Sequence, residues 1–281
     1  MTVGEMWRRL TAQLEEAGCD SPAFDARLLL EDIGKVGRGR VDTRSTTLLL
    51  PEQVQAVEAA ADKRAGGYPL QYILGEWDFL TLTLKVGEGV LIPRPDTELL
   101  CETAAEFLRE KGYSSPRVLD LCAGSGCVGL GVASLYPSAQ VTAVELSDAA
   151  FPYLQDNCRR YPSYTVQTVQ ADVLHDADRF EGEYDLILSN PPYIPARDMD
   201  ELMREVQYEP KMALDGGDGL VFYRALAEIW SRKLADGGSM MVEIGIGQAD
   251  DVMALFRDAG FKTVYFLLDL AGIERVIVGK M

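Results

Sequence analysis

The fold is decided by one stretch of sequence, residues 117–128, which reads RVLDLCAGSGCV. The apolar run at its start is typical of a buried strand, and the apolar run from Cys127 onward is typical of a helix. Gly124 and Gly126 lie between the two runs, where a tight turn needs backbone angles that glycine adopts easily. The stretch therefore predicts a strand, a turn and a helix in direct succession.

Outward from this stretch, short apolar runs alternate with helical stretches. Strands are expected at 117–121, 141–144, 165–169, 184–188 and 239–244, and helices at 127–135, 148–160, 220–234 and 248–259. Such alternation predicts a parallel sheet with helices on both faces. Two final runs, 263–268 and 274–278, are joined by a short turn, so they should pair antiparallel. The expected fold class is α/β, with a seven-stranded Rossmann-like sheet.

Two further parts are expected ahead of the sheet. Residues 1–75 carry apolar residues at helical spacing and predict a small helical domain. Residues 76–95 predict a β-hairpin linker, because residues 80–86 alternate apolar with polar and Gly87 and Gly89 then lead into a second apolar run at 90–92. Residues 96–281 would form the sheet domain.

Composition limits the classes of protein to which this chain can belong. The chain has 281 residues, no apolar run of membrane-spanning length, and a formal charge of −17. A protein that holds nucleic acid usually carries a basic footprint, so direct nucleic-acid binding is disfavoured. The five cysteines are scattered without a C-x-x-C pair, and His175 is the single histidine. We therefore expect no disulfide framework and no metal site, and a cytoplasmic location.

A cofactor site is expected at the ends of the first three sheet strands. The glycine turn lets a ligand approach the backbone closely, Glu145 ends the second strand where a carboxylate can bind ribose hydroxyls, and Asp172 follows the third strand, near an adenine amino group. The spacing is not that of a dinucleotide site, and no phosphate-binding loop is present. The pattern favours S-adenosylmethionine over the plainer interpretation of a turn that only closes a βα unit.

The tetrapeptide Asn190-Pro191-Pro192-Tyr193 follows the fourth strand. Two prolines cannot continue a strand, so the chain leaves the sheet in one stiff shape. The Asn190 side-chain oxygen and the Pro191 carbonyl could accept hydrogen bonds from the two N–H groups of a planar nitrogen, and the Tyr193 ring could lie against it. This loop suits the amines of adenine or guanine as well as a glutamine amide, and it could also be only a proline-rich turn.

Three longer blocks carry a resemblance to a known family. Residues 91–98 (LIPRPDTE), 208–210 (YEP) and 214–220 (LDGGDGL), together with the glycine turn and the Asn190 loop, resemble the peptide chain release factor glutamine methyltransferases. The resemblance covers nearly the whole chain and implies a methyltransferase sheet domain. It implies methylation of N5 of the glutamine in the Gly-Gly-Gln loop of class 1 release factors, with S-adenosylmethionine as donor. It also implies that residues 1–75 bind the release factor. A monomer is expected.

The resemblance assigns the site residues. It implies catalytic roles for Asn190, Pro191, Pro192 and Tyr193. The cofactor would be held by Asp120, Cys122, Ala123, Gly124, Ser125, Gly126, Glu145, Asp172, Val173 and Asn190. Cys122 departs from the family's pattern, which often has glycine there, so a negative φ is expected at this residue.

Rival functions remain. An amino-methyltransferase acting on adenine or guanine in DNA or RNA would share the loop but needs a basic track. A non-catalytic S-adenosylmethionine-binding protein would not need the Asn190 loop. A nicotinamide-dependent oxidoreductase would need a different glycine spacing.

Overall fold

The computed structural model describes all residues, 1–281, and the chain forms two compact units. The first unit comprises Met1–Glu76 together with Met203–Tyr208. Its helices are α1 (Val3–Glu16), α2 (Pro22–Leu28), α3 (Pro51–Ala65) and α4 (Leu70–Leu74), with a π-helical turn at Leu29–Ile33. The helical prediction for this region is therefore confirmed. No helix of the chain has the length and apolar content needed to cross a membrane.

A buried ion pair stabilises the first unit. The Arg64 guanidinium donates to Asp25 at 2.7 Å and to Glu205 at 2.6 Å. Burial raises the pKa of Asp25, although its hydrogen bond to Arg64 opposes the shift. Glu205 belongs to the segment Met203–Tyr208, so this contact explains why that segment is part of the helical unit although it is distant in sequence.

The second unit is built on a seven-stranded sheet in the order β5-β4-β3-β6-β7-β9-β8. The parallel strands are β3 (Arg117–Leu121), β4 (Gln140–Glu145), β5 (Thr165–Gln170), β6 (Tyr184–Ser189) and β7 (Leu234–Glu243). β9 (Glu274–Lys280) runs antiparallel to both β7 and β8 (Thr263–Leu268). The predicted α/β class, strand number and antiparallel pair are confirmed.

Alternating strand residues explain the layers on the two faces. Leu119 and Ile187 belong to a core that includes residues of α8 (Val221–Glu228) and α9 (Ala249–Asp258). Val118 and Leu186 belong to a second core with residues of α5 (Glu98–Lys111) and α6 (Cys127–Leu135). The remaining helix, α7 (Phe151–Arg160), contributes Leu154 to a small cluster with Ala143 of β4. Both faces of the sheet are covered, as a parallel sheet requires.

The predicted hairpin is wrong in its pairing. Its strands are β1 (Glu76–Phe79) and β2 (Leu82–Lys85), and residues 90–92 form no strand. Leu80, expected to begin the first strand, instead lies in the tight turn with a positive φ of 51°. The N–H of Ile92 is not available to a strand partner because it donates to the buried carboxylate of Glu209 at 3.0 Å.

Candidate active site

The site residues meet at the carboxyl edge of the sheet. The chain runs from β3 outward to β4 and β5 and then returns to the other side of β3 as β6, so the strand order reverses beside β3. Ligands of open α/β sheets bind outside the strand ends at such a point. A cavity of about 990 Å³, including its opening to solvent, lies here. Of the residues assigned from sequence, it is lined by Cys122, Ala123, Gly124, Ser125, Glu145, Asp172, Val173, Asn190 and Pro192.

The glycine turn follows β3 with three residues in the left-handed region. Cys122 has φ 63°, Gly124 φ 55° and Gly126 φ 84°. The expectation of a negative φ at Cys122 is therefore wrong, because this residue holds a backbone angle that glycine adopts more easily. Gly124 lines the cavity, and no protein atom lies within 4 Å of where its Cβ would be. The turn therefore offers bare backbone to a ligand.

The strained position of Cys122 leads to a prediction about stability. Cys122→Val is expected to lower the free energy of unfolding by about 1–2 kcal/mol relative to Cys122→Gly, because a β-branched side chain fits the left-handed region poorly. Urea unfolding of the two variants measures the difference. A valine variant as stable as the glycine variant would contradict the assigned backbone angle.

Glu145 holds the turn in shape. One of its carboxylate oxygens accepts the N–H of Gly124 and the other accepts the N–H of Ser147, each at 2.7 Å. Burial raises the pKa of Glu145, and these backbone bonds oppose that shift. Each carboxylate oxygen has further lone pairs, so Glu145 can accept hydroxyl protons while it keeps both backbone bonds.

Asp172 and Val173 form the wall beyond β5. One Asp172 oxygen accepts the N–H of Leu174 at 2.8 Å. The buried Trp230 indole N–H donates a hydrogen bond to the Val173 carbonyl at 2.8 Å, which fixes this loop. Asp172 thus has a second oxygen available to a ligand. His175 is exposed and lies outside the cavity lining.

Two residues assigned to the cofactor do not line the cavity. Asp120 is fully buried, and its Oδ2 accepts the N–H of Gly129 at 2.8 Å while its Oδ1 has no partner. Burial raises the pKa of Asp120 to about 7. Gly126 precedes α6, and a Cβ there would lie 2.7 Å from Leu154. Both residues shape the turn from within the fold.

A hydrogen bond to the turn that precedes α5 orients the side chain of Asn190. Its Nδ2 donates to the hydroxyl of Thr97 at 3.2 Å, which leaves Oδ1 as the acceptor that can face the cavity. Pro191 and Pro192 are buried, and Pro192 lines the cavity. The loop therefore presents a rigid backbone with one directed side-chain oxygen.

Tyr193 lies behind the loop and off the cavity wall. Its ring packs 3.0 Å from the position of a Cβ on Gly245, and burial raises the pKa of its hydroxyl to about 12. The side-chain amide of Gln248 donates a hydrogen bond to the Tyr193 carbonyl at 3.0 Å and accepts one from the N–H of Gly245. Tyr193 thus anchors the loop, and its stacking on an acceptor group stays a prediction.

Two segments later in the chain, residues 208–210 and 214–220, support the walls of the cavity. Gly216 and Ile194 pair through a 2.8 Å backbone hydrogen bond, and a Cβ on Gly216 would lie 2.7 Å from the carbonyl of Pro192. Glu209 accepts the N–H of Ile92 and pairs with Arg94, which fixes two residues of the cavity lining. The segments 208–210 and 214–220 therefore support the site, a role that their sequence did not reveal.

Comparison with known proteins now identifies the family. Residues 5–75 match the family model described as PrmC N-terminal domain, and residues 71–224 match conserved hypothetical protein 95. The chain is 35% identical to the release factor glutamine methyltransferase of Bifidobacterium longum, with 99% of each chain covered. This chain belongs to the release factor glutamine methyltransferase family. The resemblance seen in residues 91–98, 208–210 and 214–220 is thereby confirmed.

Other comparisons agree with this family and with the fold. The release factor glutamine methyltransferase of Geobacter sulfurreducens is 38% identical, over 98% of this chain and 94% of that protein. The hMettl16 catalytic domain, solved in complex with MAT2A 3'UTR hairpin 6, aligns with a TM-score of 0.59 at 16% identity, covering 78% of this chain and 81% of that one. At that identity the second likeness concerns the fold alone.

In this release factor glutamine methyltransferase, four side chains that support the site were not identified from the sequence. Thr97 orients Asn190, Glu209 fixes the residues 92–94, Gln248 ties down Tyr193, and Trp230 fixes Val173. Thr97 and Glu209 lie in the blocks 91–98 and 208–210, which carried the family resemblance, but neither residue was assigned a role from the sequence. Gln248 and Trp230 had no such signal, because Tyr193 lies 55 residues from Gln248 and Val173 lies 57 residues from Trp230.

Proposed function

We propose that this protein transfers a methyl group from S-adenosylmethionine to N5 of the glutamine in the Gly-Gly-Gln loop of class 1 release factors. One observation carries the proposal: Asn190 is held with its amide oxygen as the available acceptor, in the cavity that Glu145 and Gly124 also line. Membership of the release factor glutamine methyltransferase family supports the nature of the acceptor.

The cavity fits S-adenosylmethionine. Its walls are largely apolar, with Ile92, Leu146 and Phe222 among them, and they suit an adenine ring and a methionine chain. Glu145 would accept hydrogen bonds from the ribose hydroxyls, and Asp172 would accept a hydrogen bond from the adenine amino group. Gly124, which has open space where a side chain would stand, would let the cofactor approach the backbone.

The chain's own residues would orient the acceptor nitrogen. When bound, S-adenosylmethionine supplies an electrophilic methyl group on a positively charged sulfur. An amide nitrogen is a poor nucleophile because its lone pair is delocalised into the carbonyl. Asn190 Oδ1 and the Pro191 carbonyl would accept hydrogen bonds from the two amide N–H groups, which orients the nitrogen and favours the positive charge that develops on it. The extra proton can leave after the methyl has arrived, so no histidine or other strong base is needed.

Labelled S-adenosylmethionine tests the proposal against its rivals. The enzyme is incubated separately with a release factor, with double-stranded DNA and with tRNA. We expect label on the release factor and none on the nucleic acids. Label on DNA or tRNA without label on the release factor would favour the nucleic-acid amino-methyltransferase. Cofactor binding without transfer to any of the three would favour a non-catalytic binding protein.

The location, partner surface and oligomeric state are further parts of the proposal. Residues 1–75 would bind the release factor, and the enzyme would act as a monomer in the cytoplasm without binding nucleic acid directly. Its five cysteines are all unpaired, which fits a reducing compartment. The charge of −17 would repel free nucleic acid and attract a partner with basic surface.

The charge leads to a prediction about salt. Raising the ionic strength from about 0.05 M to 0.5 M is expected to lower the association rate constant for the release factor by about tenfold, because screening removes long-range attraction. Stopped-flow mixing with a fluorescently labelled release factor measures it. A rate constant that does not change with salt would show that the acidic surface serves solubility alone.

A further inference from the structure

Two buried side chains stand behind Asn190. Thr97 is 1% exposed and Glu243 is 2% exposed, and neither was assigned a role from sequence. Ser189 of β6 pairs with Val242 of β7 in the parallel register, so Asn190 and Glu243 are the next residues along two adjacent strands. Thr97, in the turn before α5, hydrogen bonds to both of them. The three side chains therefore form a continuous chain from the cavity into the core.

The hydrogen bonds in this chain have a defined direction. A threonine hydroxyl carries one proton, which it can donate to one partner, and lone pairs with which it accepts others. The hydroxyl of Thr97 donates to the Glu243 carboxylate, an interaction that favours the ionised carboxylate. Its lone pair then faces Asn190, and it accepts the Nδ2 proton at 3.2 Å. An ionised Glu243 therefore dictates which end of the Asn190 amide points into the cavity.

We propose that Thr97 and Glu243 are positioning residues that hold the Asn190 amide with its oxygen toward the acceptor nitrogen. The inference rests on the proposed function of Asn190. A reversed amide would present its NH₂ group to the substrate. That group and the N–H groups of the glutamine amide are all donors, so no hydrogen bond could form between them. Thr97 lines the cavity beside Asn190, whereas Glu243 lies outside that lining, and both prevent the reversal by acting through the Asn190 amide.

The surroundings of Glu243 agree with this role. Its Oε2 has no hydrogen-bond partner, so the carboxyl is not tied into the core by a second bond. Burial is the main reason why the pKa of Glu243 is raised to about 7; Asp96 also raises it, whereas the hydrogen bond from Thr97 and the charges of Arg275 and Arg94 lower it. The other titratable groups near it are Tyr193, Tyr223, Cys101 and Cys127, and the Tyr223 hydroxyl donates to the Glu243 backbone carbonyl at 2.8 Å. The protonation state of Glu243 therefore changes near neutral pH.

Thr97→Val and Thr97→Ser form a matched pair that tests the hydroxyl. Valine keeps the shape and removes the hydroxyl, so kcat for release factor methylation is expected to fall roughly 10- to 100-fold, the effect of one lost buried hydrogen bond. Serine keeps the hydroxyl and is expected to retain most of kcat. The dissociation constant for S-adenosylmethionine, measured by calorimetry on the enzyme alone, is expected to stay within about twofold in both variants.

A double variant separates positioning from general loss of structure. Because Thr97 acts through Asn190, Thr97→Val is expected to have no further effect on kcat in an Asn190→Ala background. If the valine change lowers kcat by the same factor in both backgrounds, or leaves the wild-type kcat unchanged, the positioning role is wrong. If the wild-type enzyme methylates no release factor at all, the proposed function fails instead, which is a different result.

Glu243→Gln adds a pH readout. In the wild type, kcat is expected to rise as the pH rises through about 7, because only the ionised carboxylate forces Thr97 to accept from Asn190. The glutamine variant is expected to have a lower kcat that is flat across this range, with unchanged cofactor affinity. A glutamine variant with the wild-type pH profile would overturn the role of Glu243.

Discussion

Replacing Asn190 with alanine is expected to lower kcat by about 10²–10³-fold while S-adenosylmethionine still binds. Removing one preorganised hydrogen-bonding group from a catalytic site typically costs about 2.7–4 kcal/mol of transition-state stabilisation. Asn190 Oδ1 is such a group, because Thr97 fixes the amide and the two following prolines fix the backbone. Single-turnover kinetics with saturating cofactor and release factor would measure the loss in the chemical step.

Asn157 provides the matched control, since it is the other asparagine of the chain. It is fully buried, accepts the N–H of Lys85 at 2.7 Å and donates to the carbonyls of Lys85 and Ser125. Asn157→Ala is therefore expected to lower the unfolding temperature, whereas Asn190→Ala is expected to leave that temperature nearly unchanged. An Asn190→Ala enzyme with wild-type kcat would show that the reaction does not use this side chain.

Replacing Glu145 with glutamine is expected to weaken S-adenosylmethionine binding by roughly 10- to 100-fold. The carboxylate accepts two backbone N–H groups, from Gly124 and Ser147, one on each oxygen. A glutamine amide has one oxygen, so its NH₂ would face the second N–H donor and leave it unpaired. The change would loosen the glycine turn and also remove an acceptor for the ribose.

Calorimetric titration with S-adenosylmethionine measures the effect at Glu145. Glu88→Gln is a suitable control because it removes the same charge from an exposed residue outside the cavity lining, and it is expected to leave affinity within about twofold. If Glu145→Gln binds the cofactor as tightly as the wild type, then Glu145 shapes the turn without holding the ribose.

Local sequence patterns predicted the parts of the fold that depend on local periodicity. The helix Cys127–Leu135 and the strand Arg117–Leu121 lie where they were predicted, because each buries a regular apolar pattern. The order of polar residues at strand ends also predicted the cavity, since carboxyl ends of neighbouring parallel strands meet at one edge. Cys122, Gly124, Glu145, Asp172 and Asn190 all line it.

The features that the sequence did not predict have one cause in common: a residue distant in the sequence decides the local structure. Residues 90–92 were predicted to pair as a strand, but Glu209, which comes 117 residues after Ile92, binds that N–H instead. Thr97 lies 93 residues before Asn190, so no sequence spacing connects the two. Periodicity carries no information about such pairs.

Locating the transferred methyl group by tandem mass spectrometry decides whether the acceptor is the glutamine amide. A class 1 release factor is incubated with the enzyme and S-adenosylmethionine, digested and sequenced, beside a release factor whose Gly-Gly-Gln glutamine is replaced by alanine. We expect one added methyl group on the side-chain nitrogen of that glutamine, and none on the alanine variant. A methyl group found on any other residue, or transferred equally to the alanine variant, would contradict the assignment of Asn190 and Pro191 as the grip on a glutamine amide.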